Sequence, residues 1–290
     1  MQLTESELIQ ADQDRDPRCK FGRIVVGREN QIVGFGHFTQ FMYKYHPQKF
    51  FLNGAILPDF QYQCLGSELY NHLLTLLRPF KPISLTAHTR ADRHPTTRFL
   101  IGRGFREICR ESDSILNPLK FDPIQYRKLE EQLLSKGIVI KTFCELESDP
   151  DRDQKLYELN WVISSELPGE KETKRDFDTF LKEEVNANYR LPEGNFVAVR
   201  GTEYIGICNL MTHDADKSVF HDLTGVKSDY RRMGIGLALK VRAIMFAKDN
   251  GYTSVKTGNE VNNRPALKMN ERLGFLKMPE WILFDKTLPA

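Results

Sequence analysis

A short run of arginine and glycine residues carries the clearest chemical signal of this sequence. Arg231-Arg232-Met233-Gly234-Ile235-Gly236 follows a predicted strand and opens a predicted amphipathic helix. In such a turn, backbone N–H groups at the start of the helix converge on an anion. Glycine admits a phosphate that a Cβ would hold away, and the arginines add positive charge. The run predicts a phosphate-binding loop, although a tight turn without a ligand would have the same sequence.

The residues that follow the glycines distinguish this loop from two other phosphate loops. A dinucleotide-binding fingerprint requires a third glycine at position 239, where the sequence has Leu239. A P-loop requires lysine and then serine or threonine after its last glycine, where Leu237 and Ala238 stand. The sequence therefore disfavours both of these nucleotide-binding classes.

The loop belongs to a pattern that the sequence contains twice. Residues 226–236 resemble residues 56–66 at an offset of 226 − 56 = 170. The same offset relates Pro95 to Pro265 and the Gly-Phe pair at 104–105 to the pair at 274–275. Because the matches keep register over some 80 residues, they predict a tandem duplication of one domain.

A predicted helix followed by a predicted strand marks the boundary between the copies. Asp122-Pro123 is typical of a helix start and Gly137 of a helix end, and the β-branched run 138–143 then predicts a strand. We therefore predict one domain over residues 1–137 and another over 138–290. The first has 60 residues before Gln61 and the second 231 − 138 = 93 before Arg231, so we expect the first either to be incomplete at its N-terminus or to have its edge covered by another element.

The order of predicted elements in the second copy defines its fold class. A strand over 138–146 precedes helices within 150–190, a hairpin over 195–211 and a strand that ends at Val226. A helix, a strand, a second helix and a last strand near 281–286 follow. Antiparallel strands before a strand–helix–strand crossover indicate a mixed α/β (α+β) domain.

Composition and charge exclude several classes of protein. The net charge of +2 gives no basic surface for nucleic acid, and no apolar run approaches the ~20 residues that span a bilayer. The acidic N-terminus is not a signal peptide, and five scattered cysteines are typical of reduced thiols in the cytoplasm. The seven histidines lack metal-site spacing, so we expect no metal.

Taken together, the loop and a second motif resemble the GNAT superfamily of acyl-CoA-dependent N-acetyltransferases. Its pyrophosphate signature, Arg/Gln-x-x-Gly-x-Gly/Ala, is filled by Arg231, Gly234 and Gly236. Its later pattern, Asn-x-x-Ala and then Gly-Phe, is present from Asn263 to Phe275. The resemblance covers 138–290 and, in degenerate form, about 20–115. It implies two tandem GNAT domains, an arrangement similar to that of the mycothiol synthase-like acetyltransferases.

The resemblance implies acetyl-CoA (coenzyme A) as cosubstrate and a primary amine of a small molecule as acceptor. The amine would attack the thioester directly in a ternary complex, with proximity as the main source of rate. The implied partners include neither nucleic acid nor membrane. The implied cofactor-binding residues are Val226, Arg231, Arg232, Met233, Gly234, Ile235, Gly236, Leu237 and Asn263.

A base must remove the proton of the attacking ammonium. Strand alternation predicts one face with Phe220, Asp222, Thr224 and Val226, and Asp222 is the leading candidate. His221 would lie on the other face unless a bulge re-aims it. Glu260, just after the next strand, is the third candidate.

The position of the family's usual acid holds a different residue here. Many members have a tyrosine four residues before the glycine of Gly-Phe, where this sequence has Asn270 and, in the first copy, Leu100. Asparagine can donate a hydrogen bond to sulfur but cannot release a proton near neutral pH. In the first copy Gln61 and Gly66 fit the signature, but Cys64 replaces its middle glycine. We therefore expect the first copy to be weakened or non-catalytic.

A second hypothesis uses the same loop without catalysis. Asn270 would suit an acyl-CoA-binding regulatory protein, which thiol release from acetyl-CoA would distinguish from an enzyme. Acceptor specificity is expected to lie within about 150–192, which carries no recognisable chemical code. There, Tyr157 and Trp161 would suit an aromatic or cationic amine, or else pack in the core.

Overall fold

The described chain divides into two compact units. The computed structural model describes residues 5–13, 15–168, 173–213 and 217–289. The first unit comprises Glu5–Glu111 with residues 279–289, and the second unit is Ser112–Met278. Residues 112–137 thus pack with the second unit, although the sequence repeat predicts a boundary near residue 137. The extent of the two sequence copies itself stays a prediction.

The second unit is a mixed sheet flanked by helices, in the predicted order of elements. Its strands are β6 (Ile138–Thr142), β7 (Phe196–Arg200), β8 (Glu203–His213), β9 (Ser218–Val226), β10 (Ser254–Glu260) and β11 (Leu276–Lys277). Its helices are α4 (Arg127–Leu134), α5 (Arg152–Ser165), α6 (Phe177–Phe180), α7 (Ile235–Asp249) and α8 (Arg264–Leu273). Strands β6 to β9 pair antiparallel in chain order, and β10 pairs parallel with β9. Residues 169–172, within the predicted helices of 150–190, lie outside the described part.

The sheet of the second unit is buried on both faces, which explains its continuous apolar runs. Along β7, Phe196 and Ala198 pack towards the cluster that contains α7. The alternate residues Val197 and Val199 pack towards the cluster that contains α5. Since successive strand residues point to opposite faces, a strand covered on both sides must be apolar throughout.

The first unit repeats this arrangement around its own core. Its elements are α1 (Glu5–Gln13), β1 (Gly22–Arg28), β2 (Gln31–Thr39), β3 (Lys49–Ile56), α2 (Leu65–Leu77), β4 (Ser84–Arg90), α3 (His94–Ile101), β5 (Arg106–Leu116) and β12 (Trp281–Thr287). Residues 112–116 of β5 belong to the second unit. Strands β1, β2 and β3 are antiparallel, and β4 is parallel to β3. Before β1, the described residues form the short helix α1 and no strand.

Strand β12 lies in the first unit, although the sequence repeat assigns it to the second copy. It pairs antiparallel with β4 from Trp281↔Arg90 to Thr287↔Ser84, and on its other edge with β5. Ile282 and Phe284 alternate into the core of the first unit. The predicted strand is therefore present, but the core of the first unit buries its apolar side chains.

No helix in the described part of the chain is long and apolar enough to cross a bilayer.

Candidate active site

A cleft opens in the second unit where two parallel strands separate. The register between β9 and β10 runs from Ser254↔Ser218 to Thr257↔His221, while the strands continue to Val226 and Glu260. A cavity of about 120 Å³ lies at this point. Side chains from β9, β10, α7 and α8 line it, among them His221, Asp222, Thr224, Lys240, Thr257, Asn259, Glu260 and Asn263.

A β-bulge on β9 decides which of its residues share a face. Cys208 pairs with Thr224 and Leu210 pairs with His221, so three steps on β9 match two on β8. The extra residue inverts the alternation, and Val219 and Val226 consequently pack in the same core cluster. The predicted face of Phe220, Asp222, Thr224 and Val226 is therefore wrong. His221 and Asp222 both line the cleft.

Asp222 is held at the cleft by a buried arginine. Its Oδ2 accepts a hydrogen bond of 2.8 Å from Nη1 of Arg190, whose side chain is 3% exposed. Arg190 also donates to Glu184, which accepts a second bond of 2.7 Å from Arg175. Burial raises the pKa of the Glu184 carboxyl, against the effect of the two guanidinium groups. Asp222 itself is one-third exposed and can be reached from the cleft.

The two other base candidates also lie on the cleft. Glu260 stands at the end of β10, and its Oε1 accepts a hydrogen bond of 2.6 Å from Asn262 Nδ2. His221 is 1% exposed, and neither ring nitrogen has a hydrogen-bond partner among the described residues. Burial, and then the charge of Lys240, hold the pKa of His221 well below its ordinary range. The imidazole is therefore neutral near pH 7.

Asn270 belongs to a buried polar chain that reaches the cleft. Its Oδ1 accepts a hydrogen bond of 2.7 Å from Lys240 Nζ, and its Nδ2 donates to Asn259 Oδ1 at 2.8 Å. Lys240 and Asn270 are each 2% exposed. Burial lowers the pKa of the Lys240 amine to about 8. The position of the family's usual acid therefore holds the amide of Asn270, which is hydrogen-bonded to the amine of Lys240.

Lys240 is a site residue that sequence reasoning missed. It lies on the buried stripe of α7 with Leu237, Ile244 and Ala247. A lysine among apolar residues at spacings of three, four and three is the signal that could have identified it. The apolar stripe predicted the helix but no role for Lys240.

The predicted phosphate loop has the backbone of an anion site. Arg232 and Gly234 adopt left-handed φ values of 64° and 87°, and α7 begins at the next residue. A Cβ on Gly234 would also lie 3.0 Å from Leu129 Cδ1, so glycine is required there. The first N–H groups of α7 have no acceptor within the helix, which leaves them available to a ligand. Arg231 braces the loop, since its Nε donates to Val226 O at 3.0 Å.

The remaining predicted cofactor residues fall into two groups. Asn263 lines the cleft, and its Oδ1 caps α8 by accepting from Ala266 N at 3.4 Å. Val226 and Met233 pack against the core. The loop residues do not line the cavity itself among the described residues, but they follow β9, which forms one of its walls.

The first unit forms the same loop from different residues. Tyr62 and Cys64 have left-handed φ values of 60° and 65°, as Arg232 and Gly234 do 170 residues later. Gln61 Nε2 donates to Ile56 O at 2.9 Å, which reproduces the bond of the bracing arginine. Glu68 lies in the first turn of α2, whereas the first turn of α7 has no acidic residue. A carboxylate there disfavours an incoming anion.

The loop and the residues that line the cleft lie within the part of the chain that matches one family model. Residues 153–275 match the Acetyltransferase (GNAT) family. N-acetylaspartate synthetase of Danio rerio is 34% identical over 109 residues, 37% of this chain and 38% of that protein. Mycothiol acetyltransferase of Thermomonospora curvata is 26% identical over 235 residues, 77% of this chain and 72% of that protein. This chain thus covers well under half of the first relative and nearly three quarters of the second.

Two solved structures share the fold over nearly the entire chain. A GCN5-related N-acetyltransferase from Sphaerobacter thermophilus has a TM-score of 0.74 at 16% identity, covering 99% of this chain and 86% of that one. A tandem GNAT protein from the clavulanic acid biosynthesis pathway also has a TM-score of 0.74, at 17% identity, covering 98% and 88%. At such identities the likeness shows the mixed α/β fold.

Proposed function

Residues 153–275 of this chain form a domain of the GNAT acetyltransferase family, and on that basis we propose that the protein transfers an acetyl group from acetyl-CoA to a primary amine of a small molecule. The acceptor amine attacks the thioester carbonyl directly while both substrates are bound. Two of the similar proteins are named for small molecules, mycothiol and N-acetylaspartate, which supports this acceptor class. A cytoplasmic location belongs to the same proposal.

The observation that carries the proposal is the separation of β9 and β10 next to the phosphate loop. A linear pantetheine arm fits between separated parallel strands, because backbone groups on their inner edges are not used by the β9–β10 ladder beyond Thr257↔His221. The N–H groups at the start of α7 suit the pyrophosphate. Loop and gap follow one another along β9, so a single extended cosubstrate can occupy both.

The residues fit acetyl-CoA as the bound group. The loop from Arg231 to Leu237 would hold the pyrophosphate and Asn263 would contact the pantetheine region. Bound acetyl-CoA supplies the activated acyl group. The side chains of the cleft then orient the amine and move protons.

Asp222 is the proposed base of the reaction. Its carboxylate is accessible from the cleft, and the bond from Arg190 fixes its position. Together with Glu260 it makes the wall of the cleft acidic, which attracts a cationic ammonium before its proton is removed. His221, neutral and buried, is the second candidate, since the bulge brings it to the same cavity.

The test is thiol release from acetyl-CoA in the presence of a panel of amines, with calorimetry of CoA binding on the same protein. The panel includes aspartate, an amino sugar, a polyamine and a peptide with a free α-amino group. Binding together with amine-dependent thiol release supports the proposal. Binding without release from any amine would favour a non-catalytic acyl-CoA-binding regulator, and a lack of CoA binding would overturn both.

A further inference from the structure

Lys240 places an amine on the wall of the cleft at the level where β9 and β10 separate. It lies on α7, and both His221 and Thr257, the last paired residues of the strands, line the same cavity as Lys240. Its Nζ donates to Asn270 Oδ1 at 2.7 Å, which holds the amine in place. Asn270 is held in turn by its bond to Asn259 on β10. A buried lysine with a fixed position and access to a cavity is suited to proton transfer.

Among the residues that the structure describes, no carboxylate forms an ion pair with Lys240 in the core. His221 on β9 is neutral, because burial keeps its pKa well below the ordinary range. Cys208 on β8 is protonated, because burial raises the pKa of its thiol. The ring of Phe275 lies 5.5 Å from Nζ and offers its face to the cation. Asp222 and Glu260 line the same cavity and add negative charge there.

We propose that Lys240 is the proton donor to the CoA thiolate as it departs, with Asn270 as its positioning residue. This inference rests on the proposed acetyl transfer. The amine nitrogen forms a bond to the thioester carbonyl carbon and releases its extra proton to water, and the C–S bond then breaks with its electron pair on sulfur. The Lys240 ammonium gives one proton to that sulfur, which yields CoA thiol, and the neutral lysine regains a proton from solvent.

The acidity of Lys240 suits this task. A thiol has an ordinary pKa of about 8.5, and a proton donor is most effective when its own pKa lies near that of the group it protonates. Burial brings the pKa of Lys240 to about 8. An ordinary exposed lysine would hold its proton too tightly, and Asn270 has none to give.

The first experiment titrates the thiol of bound CoA by its ultraviolet absorbance, in wild type and in Lys240→Met, with desulfo-CoA as the blank. Methionine preserves the length and apolar stem of the side chain. We expect the bound thiol to titrate at least about one pH unit lower in wild type, because a nearby ammonium stabilises the thiolate. Lys248→Met, on the same helix but bonded to Phe121 O, is the matched control and should titrate as wild type. Equal titrations in wild type and Lys240→Met would overturn the inference.

The second experiment measures turnover against pH with the most active amine of the panel. In wild type, kcat should fall as pH rises through the pKa of Lys240, because the protonated form is required. Lys240→Met should lose about 100-fold in kcat and lose that alkaline limb, with little change in KM for acetyl-CoA. Unchanged kcat in this variant would contradict the role of Lys240 while leaving acetyl transfer intact.

A second variant keeps the test decisive if Lys240→Met does not fold. Asn270→Asp has nearly the same shape and places a carboxylate against Lys240, which raises the pKa of the amine. The alkaline limb should move to higher pH by about one unit or more. A limb that stays in place would contradict the inference. A wild-type protein that binds no CoA would instead overturn the proposed function itself.

Discussion

The two units of the molecule form the same turn and differ in what lies behind it. In both, the parallel register of the two central strands ends at equivalent pairs, Leu52↔Ala87 and Thr257↔His221. In the second unit the corresponding positions around the cleft hold His221, Lys240, Thr257 and Asn270. In the first unit they hold Leu52, Tyr70, Ala87 and Leu100, all within an apolar core. Where the second unit has a polar cleft, the first unit therefore has an apolar core.

The strand before the turn shows a second difference. β9 carries a bulge, whereas β3 pairs with β2 in unbroken register from Gly34↔Ile56 to Thr39↔Phe51. One extra residue is therefore sufficient to turn a histidine and an aspartate towards the cavity in the second unit. The two units do not differ in the backbone of the loop, since Tyr62 and Cys64 reproduce it without glycine.

The strongest test of the comparison between the units is how the buried amine of Lys240 affects the free energy of unfolding. The pKa of Lys240 is lowered from 10.5 to about 8, so between these values the unfolded chain binds more protons than the folded one. The free energy of unfolding of wild type, relative to Lys240→Met, should therefore rise by about 3 kcal/mol as pH increases through that window. Chemical denaturation at a series of pH values measures it, with Lys248→Met as the control. A flat difference would mean that Lys240 is not a buried cation.

Removal of the proposed base should raise the free energy of activation by about as much as the stability difference expected for Lys240. Asp222→Asn preserves the shape of the side chain and its place beside Arg190 but removes basicity. We expect kcat to fall about 100-fold, with CoA affinity nearly unchanged. Steady-state kinetics and calorimetry together check this prediction. An unaltered kcat would transfer the role to His221 or Glu260, for which His221→Gln and Glu260→Gln are the next variants.

Matched changes in the two loops should affect CoA binding unequally. Gly234→Val combines a disfavoured φ of 87° with bulk against Leu129, and should weaken binding at least about tenfold, or 1.4 kcal/mol. Cys64→Val alters the equivalent position of the first unit and should change CoA affinity little. Calorimetry on the intact chain should give one tight site. Two tight sites, or one that survives Gly234→Val, would show that the first unit is the binding unit.

The smallest expected effect concerns the strained cysteine of the first loop. Cys64 has a left-handed φ of 65°, which glycine adopts without penalty. Cys64→Gly should therefore raise the free energy of unfolding by about 1 kcal/mol or less. It should not create a second tight CoA site, because Leu52, Tyr70 and Leu100 still fill the space behind the loop. A second site in this variant would show that the loop alone decides binding.

Much of the fold could be predicted from the sequence, because it depends on local patterns and on repetition. The strands, the helices and the position of the loop follow from apolar periodicity and from motifs at a constant offset, and the tandem GNAT fold follows from the resemblance of those motifs to the family. The partnership of β12 could not be predicted in this way. Which core receives Ile282 and Phe284 depends on contacts between residues far apart in the chain, whereas the repeat assigns this strand to the second copy.

The candidate site was likewise predictable only where it depends on local sequence. The turn was predicted from arginine and two glycines at the start of a helix, and the left-handed φ of Gly234 agrees with that turn. The face of Asp222 was predicted by regular alternation, which a single inserted residue on β9 invalidates. Lys240 was overlooked because a lysine on a helix is usually exposed, and only the packing of α7 shows that it is buried. Contacts across the fold therefore decided the chemistry of the cleft.

The position of β12 has a consequence for how the protein folds during synthesis. Arg90 and its partner Trp281 are separated by 281 − 90 = 191 residues. Until the ribosome has released β12, β4 and β5 each lack the neighbour that lies between them in the finished first unit. Contacts between such distant residues form slowly, and open strand edges can pair with other chains in the meantime. The first unit, although most of it is made first, is thus completed only after residues 112–278 have been synthesised.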